Sequence, residues 1–401
     1  MRKCPHIVLP LLLLGGLLAR LVWAAHAPFP QHFWMDERFS AAAITQPVPR
    51  LLLFCRKDVH PPLYYLILKG WNALTPQAHR AAPERLTDYH LQRIGGDAWF
   101  TSVARDGTTR QIPGLYPDDW ARWPLGPLWF LRLPSIVFAL LSAFFTYLMA
   151  KRLWPPQAGI AWVGMLLCLF SPFMLTWDTV MRSYALQGML LAAMTLLVVR
   201  GNQNKWQLFA IVILAAMMLL TGYLLLLAFP FLLLAHYLMH RSAHHSAVFV
   251  GSFAAGVLVF AALWGRSFMA QGALRQADVA SASWLARLAY ECGRMAQAHW
   301  KMLFSYGDVA NLNPDSSLML YLPAFGLYAA CIGRFFYEVL KRWVAADSAI
   351  LAMAFGPTVL TVIANTLKPG TLPVWPRYFY PFAPFFFLLL ARGGFLLLRR
   401  D

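Results

Sequence analysis

Apolar residues along this chain gather into runs of about 20, the length an α-helix needs to cross a hydrocarbon core. Single spans are predicted over Ile7 to Ala25, Leu128 to Leu148, Gly159 to Trp177, Tyr184 to Val199, Ala247 to Trp264, Leu318 to Leu340, Ser348 to Leu367 and Tyr378 to Leu398. The run from Trp206 to Tyr237 is too long for one helix and divides near Thr221-Gly222 into two short ones. The pattern predicts an all-α polytopic membrane protein of ten transmembrane helices, with one membrane domain over residues 1–401.

Two polar stretches interrupt the runs, at residues 26–127 and 265–317. In the first, Pro62 to Leu74 is helical in character but too short to span, so it is expected to lie in the interface plane with Tyr64, Tyr65 and Trp71 at headgroup level. Residues 75–123 form a polar insertion with turn signals at Gly95-Gly96, Asp106-Gly107 and Pro113-Gly114. A small hairpin is expected from Trp99 to Val103 and Thr108 to Ile112. In the second stretch, Trp284, Leu288, Cys292, Met295, Trp300 and Leu303 approximate one helical stripe opposite Arg287, Glu291, Arg294 and Lys301. An amphipathic helix lying over the outer face is predicted there.

Composition agrees. Hydrophobic residues make up 59% and charged residues 13% of the chain, against roughly 45–50% and 25% in soluble proteins. The net charge of +17 would suggest nucleic acid in a soluble protein. Here the basic residues follow the edges of the apolar runs, where they set topology and meet anionic headgroups. Arg2, Lys3, Lys151, Arg152, Arg200, Lys205, Arg241, Lys341, Arg342, Arg399 and Arg400 fall on one side of a ten-span bundle, which predicts both termini in the cytoplasm and residues 26–127 outside. The first span is expected to be retained, although Ala24-Ala25-His26-Ala27 fits a signal-peptidase site loosely. The five cysteines show no metal-ligand spacing; Cys168 and Cys331 read as core residues, and Cys55 and Cys292 could pair only if both met an oxidising compartment.

Certain polar residues stand where a membrane protein does not need them. Asp36-Glu37, about ten residues past the first span, can accept a proton from an attacking hydroxyl, hold a divalent cation, or simply be a solvated pair beside Arg38. His60 precedes Pro61-Pro62, a helix start, and so offers an imidazole beside backbone donors for a phosphate, or is incidental. Asp178 and Arg182, just before Tyr184, are four apart and would be adjacent if helical, as a salt bridge or a binding pair. Arg377, before Tyr378, sits at headgroup depth, where it can fork onto a phosphate or snorkel. Arg20 reads as paired or snorkelling, and Arg132 as supporting the site. No phosphate-binding glycine loop, zinc-protease or serine-hydrolase motif occurs. His240, His244 and His245 read as a solvated turn.

Taken in order, these residues resemble the GT-C superfamily of membrane glycosyltransferases, in the bacterial branch related to protein O-mannosyltransferases and the lipid A aminoarabinose transferase. The resemblance rests on Asp36-Glu37; His60-Pro-Pro-Leu-Tyr-Tyr65; Arg132-Leu-Pro-Ser135; Ser171-Pro172 followed by Arg182 and Tyr184; and Arg377-Tyr378. It implies a polyprenyl-phosphate sugar as donor and a lipid, glycan or protein acceptor, joined on the periplasmic face of a bacterial inner membrane. It implies Asp36 as catalytic base with Glu37 beside it, His60, Arg182 and Arg377 on the donor phosphate, and Tyr64, Tyr65, Asp178, Tyr184 and Tyr378 lining the substrates. Val180 stands where many relatives carry a glutamate, and the insertion before Arg132 is longer than usual. No metal ligand set is implied, and a divalent cation is left open. The competing readings are a lipid or glycan transporter, which predicts charges at the bilayer midplane and related halves, and a non-catalytic membrane scaffold.

Overall fold

The computed structural model describes residues 5–26, 35–57, 60–80, 85–94, 97–103, 109–113, 124–201, 204–272, 284–304, 314–367 and 376–399. Helix α1 (Pro5–His26) is followed by three short helices, α2 (Met35–Thr45), α3 (Val48–Lys57) and α4 (Leu63–Asn72). A small antiparallel sheet, β1 (Arg85–Ile94), β2 (Asp97–Val103) and β3 (Thr109–Pro113), lies in order β1-β2-β3. Then come α5 (Leu128–Leu153), α6 (Ala158–Phe170), α7 (Pro172–Asp178), α8 (Tyr184–Arg200) and α9 (Lys205–Leu219). A 3₁₀ turn (Tyr223–Ala228) leads into α10 (Phe229–His240), followed by α11 (Ala243–Gly272), α12 (Trp284–Phe304), α13 (Pro314–Arg342) and α14 (Ala345–Leu367). A second 3₁₀ segment (Pro376–Phe382) opens α15 (Ala383–Leu398).

The protein is an α-helical polytopic membrane protein, and each predicted apolar run is helical. Among the described residues, six helices are long and apolar enough to cross a membrane, and α6 with α7, bent by 55°, make a seventh. The count is lower than ten partly because α8 and α9 are short: their 17 and 15 residues reach only about 25 and 22 Å, less than the ~30 Å core. The last span, Arg377–Leu398, is central, with 78% of its apolar window buried, whereas α1 is peripheral at 17%. The outward residues of α1 are Leu11, Leu14, Leu18 and Val22, an apolar stripe suited to lipid. Helices α13 and α15 touch backbone to backbone at Gly393, where any Cβ would lie 2.1 Å from the Cys331 carbonyl oxygen.

The hairpin expected within the insertion is present: β2 pairs with β3 from Trp99↔Pro113 to Val103↔Thr109. Strand β1 completes the sheet and was not expected. Asn72 closes the insertion at its base. Its Nδ2 donates to the Pro124 carbonyl (2.9 Å) and its Oδ1 accepts the Gly126 N–H (2.8 Å), so the chain leaves and returns at one point. A helix, α4, forms within Pro62 to Leu74 as predicted, but Tyr64 and Tyr65, expected at headgroup level, are buried in the protein, and α2 and α3 were not foreseen.

Candidate active site at one end of the bundle

Proline builds this end of the molecule by freeing carbonyls that arginine and tryptophan then claim. Pro134 lies in the second turn of α5 and has no N–H for the Phe130 carbonyl four residues back. The Trp71 indole of α4 donates to that oxygen instead (2.8 Å) and stacks on the Phe130 ring (4.9 Å, 19°). Pro172 likewise frees the Cys168 carbonyl, and the bend between α6 and α7 frees that of Leu169. Arg20 of α1 donates to both, at 3.1 and 2.8 Å. An arginine within an apolar span is thus held by a broken neighbour rather than by snorkelling.

Arg20 also resolves the role of Asp178. Its Nε donates to Asp178 Oδ2 at 2.8 Å, Nη2 binds the same oxygen, and the Tyr380 hydroxyl donates to Oδ1. Both carboxylate oxygens of this fully buried acid are engaged. The pairing with Arg182 expected from a spacing of four does not form, because α7 ends at Asp178 and the chain turns before α8 begins. Asp178, expected to line the substrate, joins Arg20 of α1 to Tyr380 of the second 3₁₀ segment.

Glu37 has a similar place. Arg132 donates through Nε to Oε1 (2.9 Å) and through Nη2 to Oε2 (2.7 Å), and the Met181 N–H donates to Oε1 (2.7 Å). Glu37 is fully buried and Arg132 nearly so. Expected beside Asp36 in the reacting pair, Glu37 here acts as the anchor of α2, whose other end is held by Lys69 Nζ donating to the Ile44 carbonyl (2.9 Å). Burial of Lys69 lowers its pKa from the usual lysine value. Asp36 is the second residue of α2, beside Glu37 in sequence; its side chain lies outside the described residues.

The turn that Glu37 grips carries Arg182. Arg182 Nη2 donates to His60 Nε2 (2.8 Å), which sets the Nδ1–H tautomer of that ring, and Nη1 donates to the Tyr65 hydroxyl (3.1 Å). The Phe39 ring lies under the guanidinium, 6.0 Å from its carbon, and meets the Tyr65 ring edge-on at 5.4 Å. Tyr64 shares a hydrogen bond with Ser135 Oγ (2.9 Å), which in turn reaches the Arg182 carbonyl (3.4 Å). Burial pushes the Tyr64 phenol well above the usual tyrosine value, so it stays protonated.

Two residues on, Tyr184 packs edge-on against Trp177 (5.5 Å) and Tyr378 (6.4 Å), and the Arg377 guanidinium lies over the Tyr378 ring (5.5 Å). The structure joins Glu37, His60, Tyr64, Tyr65 and Arg182 in one cluster, and Tyr184, Tyr378 and Arg377 in a second that adjoins it through the chain from Arg182 to Tyr184. Arg20, Tyr380, Lys69 and Trp71 belong to the same scaffold and were not assigned to it from sequence. The usable signals were an arginine inside an apolar span and prolines four residues after carbonyls that need donors.

Helix α12, the amphipathic helix predicted over 265–317, covers this end with a face of mixed polarity. Glu291 and Met295 are buried, while Trp284 and Cys292 are exposed. Glu291 pairs with Arg294 (3.2 Å) and accepts from Asn365 of α14 (3.2 Å). His299 Nδ1 donates to the Met295 carbonyl (2.9 Å), and its ring sits among Phe355, Phe379 and Phe386. The apolar stripe is split, with Met295 inward and Trp284 and Cys292 outward, while Glu291 pairs within the bundle. Cys55 and Cys292 are both free thiols, so the alternative pairing is not formed. Among the described residues no three His, Cys, Asp or Glu side chains gather as a metal site. Of the three histidines read as a solvated turn, His244 is exposed, and His240 is half-buried with its Nε2 bonded to the Val198 carbonyl (2.8 Å).

No family model matches the chain, and no curated protein matches it. Among solved structures it is similar to the crystal structure of the Archaeoglobus fulgidus oligosaccharyltransferase in the apo form, with a TM-score of 0.48 and 10% identity over 97% of this chain and 50% of that one. The chain spans about half the length of that protein.

Proposed function

We propose that this protein is a GT-C-type membrane glycosyltransferase that moves a sugar from a polyprenyl-phosphate donor to an acceptor hydroxyl on a lipid, glycan or protein. The observation that carries the reading is the contact of Arg182 with His60, 122 residues apart, inside a network that also holds Tyr65 and lies beside the Tyr184–Tyr378–Arg377 stack. A cation built into a buried frame at the end of a span suits a phosphate whose lipid tail stays in the bilayer.

In the reaction the acceptor oxygen bonds to the anomeric carbon and the bond from that carbon to the phosphate oxygen breaks. The polyprenyl phosphate leaves with the electron pair. Arg182, His60 and Arg377 stabilise the growing negative charge in a site walled by aromatic rings. Asp36 takes the acceptor proton. Glu37 holds α2, the helix that carries Asp36, and Tyr64, Tyr65, Tyr184 and Tyr378 shape the space around the sugar and phosphate. The basic residues Lys151, Arg152, Arg200, Lys341 and Arg342 cluster at the opposite ends of the spans, which supports a bacterial inner-membrane protein with both termini cytoplasmic and a periplasmic site.

Purified protein in nanodiscs tests this directly. Wild type is expected to bind a polyprenyl phosphate, and His60→Ala and Arg182→Ala to lose that binding. Asp36→Asn is expected to keep it but to release no lipid phosphate from a polyprenyl-phosphate sugar in membrane extract. Equal binding by all variants, or turnover by Asp36→Asn, overturns the assignment.

A further inference from the structure

Away from this site, at the opposite ends of α5, α8 and α9, a cleft joins two kinds of surface. Its mouth, a cavity of about 420 Å³, is ringed by Lys151, Arg152 and Arg200. Its deeper part, about 510 Å³, is walled by Phe145 and Leu148 of α5, Ala193 and Leu196 of α8, and Phe209 and Ile213 of α9. Leu148, Leu196 and Arg200 line both parts, so the two adjoin. Seven residues of helix separate Arg152 from Phe145 and Arg200 from Ala193, so the slot descends about 10 Å below the cations.

The charge at the mouth is uncompensated. Helices α5, α8 and α9 contain no Asp or Glu. Lys151, Arg152 and Arg200 are exposed and, among the described residues, in no ion pair; Lys151 only overlies the Tyr147 ring (5.4 Å). Basic residues at span ends serve topology wherever they stand, but topology does not require an apolar slot leading down from them. A free anion would use the mouth and leave the slot without a purpose. A molecule with a phosphate at one end and a hydrocarbon chain at the other uses both.

We propose that this cleft binds an acidic diacyl phospholipid, with its phosphate among Lys151, Arg152 and Arg200 and one acyl chain in the slot between α5, α8 and α9. Basic pockets between spans recognise acidic headgroups in this way. The proposal stands independently of the transferase reading, since none of these residues belongs to the candidate site.

The test uses the full chain in detergent, monodisperse by gel filtration, with phosphatidylglycerol, phosphatidylcholine and inorganic phosphate as probes. Native mass spectrometry is expected to show one retained phosphatidylglycerol in preference to phosphatidylcholine, and added phosphatidylglycerol is expected to raise Tm. The triple variant Lys151→Gln, Arg152→Gln, Arg200→Gln removes three surface charges and is expected to weaken retention about a hundredfold, at roughly fivefold per charge. Ala193→Phe, and separately Ile213→Trp, fill the slot with the cations intact and are expected to abolish retention too. Wild-type preference in the triple variant, retention with the slot filled, or an equal Tm rise with inorganic phosphate would each overturn the proposal.

Discussion

Each end of the bundle buries a forked arginine–carboxylate pair, and the surroundings of the two pairs differ. Away from the candidate site, Arg392 of α15 donates through Nε and Nη2 to the two oxygens of Asp347 (both 3.1 Å), the Trp154 indole donates to the same acid (2.8 Å), and Gln157 accepts from Arg392. That cluster joins the α5–α6 turn to α14 and α15, and every partner is a side chain of the fold. At the site end the Glu37–Arg132 pair is completed by a backbone N–H from the Met181 turn, and that turn presents Arg182 to His60 and Tyr65. A buried ion pair in a membrane protein is therefore not a functional mark by itself. The pair becomes functional framework where it fixes the turn that carries a further cation.

Breaking the two pairs tests this distinction with the largest effects. Glu37→Gln and Asp347→Asn each leave a buried guanidinium without its counter-charge, and each is expected to lower stability by about 3–5 kcal/mol. Thermal unfolding in detergent measures both. Activity separates them: Glu37→Gln is expected to lose sugar transfer even at temperatures where it remains folded, because α2 and the Met181 turn lose their common anchor. Asp347→Asn is expected to transfer normally below its own melting temperature. Equal loss of activity in the two folded variants would erase the difference between the ends.

Arg182→Ala tests the cation itself. Removing a preorganised charge from a developing phosphate anion costs roughly 10²–10³ in rate, so kcat for transfer, measured below the variant's own Tm, is expected to fall by about that factor, with a lower Tm from the lost bonds to His60 and Tyr65. Arg182→Lys is expected to recover part of it, since an ammonium supplies the charge but not the fork that reaches His60 and Tyr65 together. A smaller effect is expected for Trp71→Phe, which leaves the Phe130 carbonyl without its indole donor. The cost is about 1 kcal/mol of stability, read as a lower Tm with kcat nearly unchanged.

The residues of this network were easier to find than their partners. Apolar run length located the helices because the bilayer imposes it. The prolines of His60-Pro-Pro, Arg132-Leu-Pro-Ser135 and Ser171-Pro172 mark the places where helices start or break, and all three lie at the site. Partner choice was another matter. Spacing alone joins Asp178 to Arg182, but the acid binds Arg20, 158 residues away, because the turn after α7 separates the near pair and only tertiary packing brings α1 alongside. Helix α2 escaped notice because Met35–Thr45 is short and mixed in polarity. The apolar stripe of α12 does not bury as one face, because Met295 packs inward while Trp284 and Cys292 face out, where a membrane accepts them.

The inward side of α12 also gives the smallest expected effect, at His299. Packing against Phe355, Phe379 and Phe386 lowers its pKa from the usual value of 6.5, burial outweighing the hydrogen bond to the Met295 carbonyl, which acts the other way. Its other close polar neighbour, the Thr358 hydroxyl (3.3 Å), is uncharged. The unfolded chain therefore takes up the proton at a higher pH than the folded one. The neutral ring's contribution is fully present above the unfolded value of about 6.5 and is lost as pH falls from there through the depressed folded value. The Asp347–Arg392 cluster has no imidazole among its partners, so the His299 titration is separate from it. Wild-type Tm is expected to drop between pH 7.5 and pH 5.5 by more than that of His299→Gln, which keeps a polar side chain without the titration. An identical drop in the two proteins would mean that the acid sensitivity arises elsewhere and that the underside of α12 does not set it.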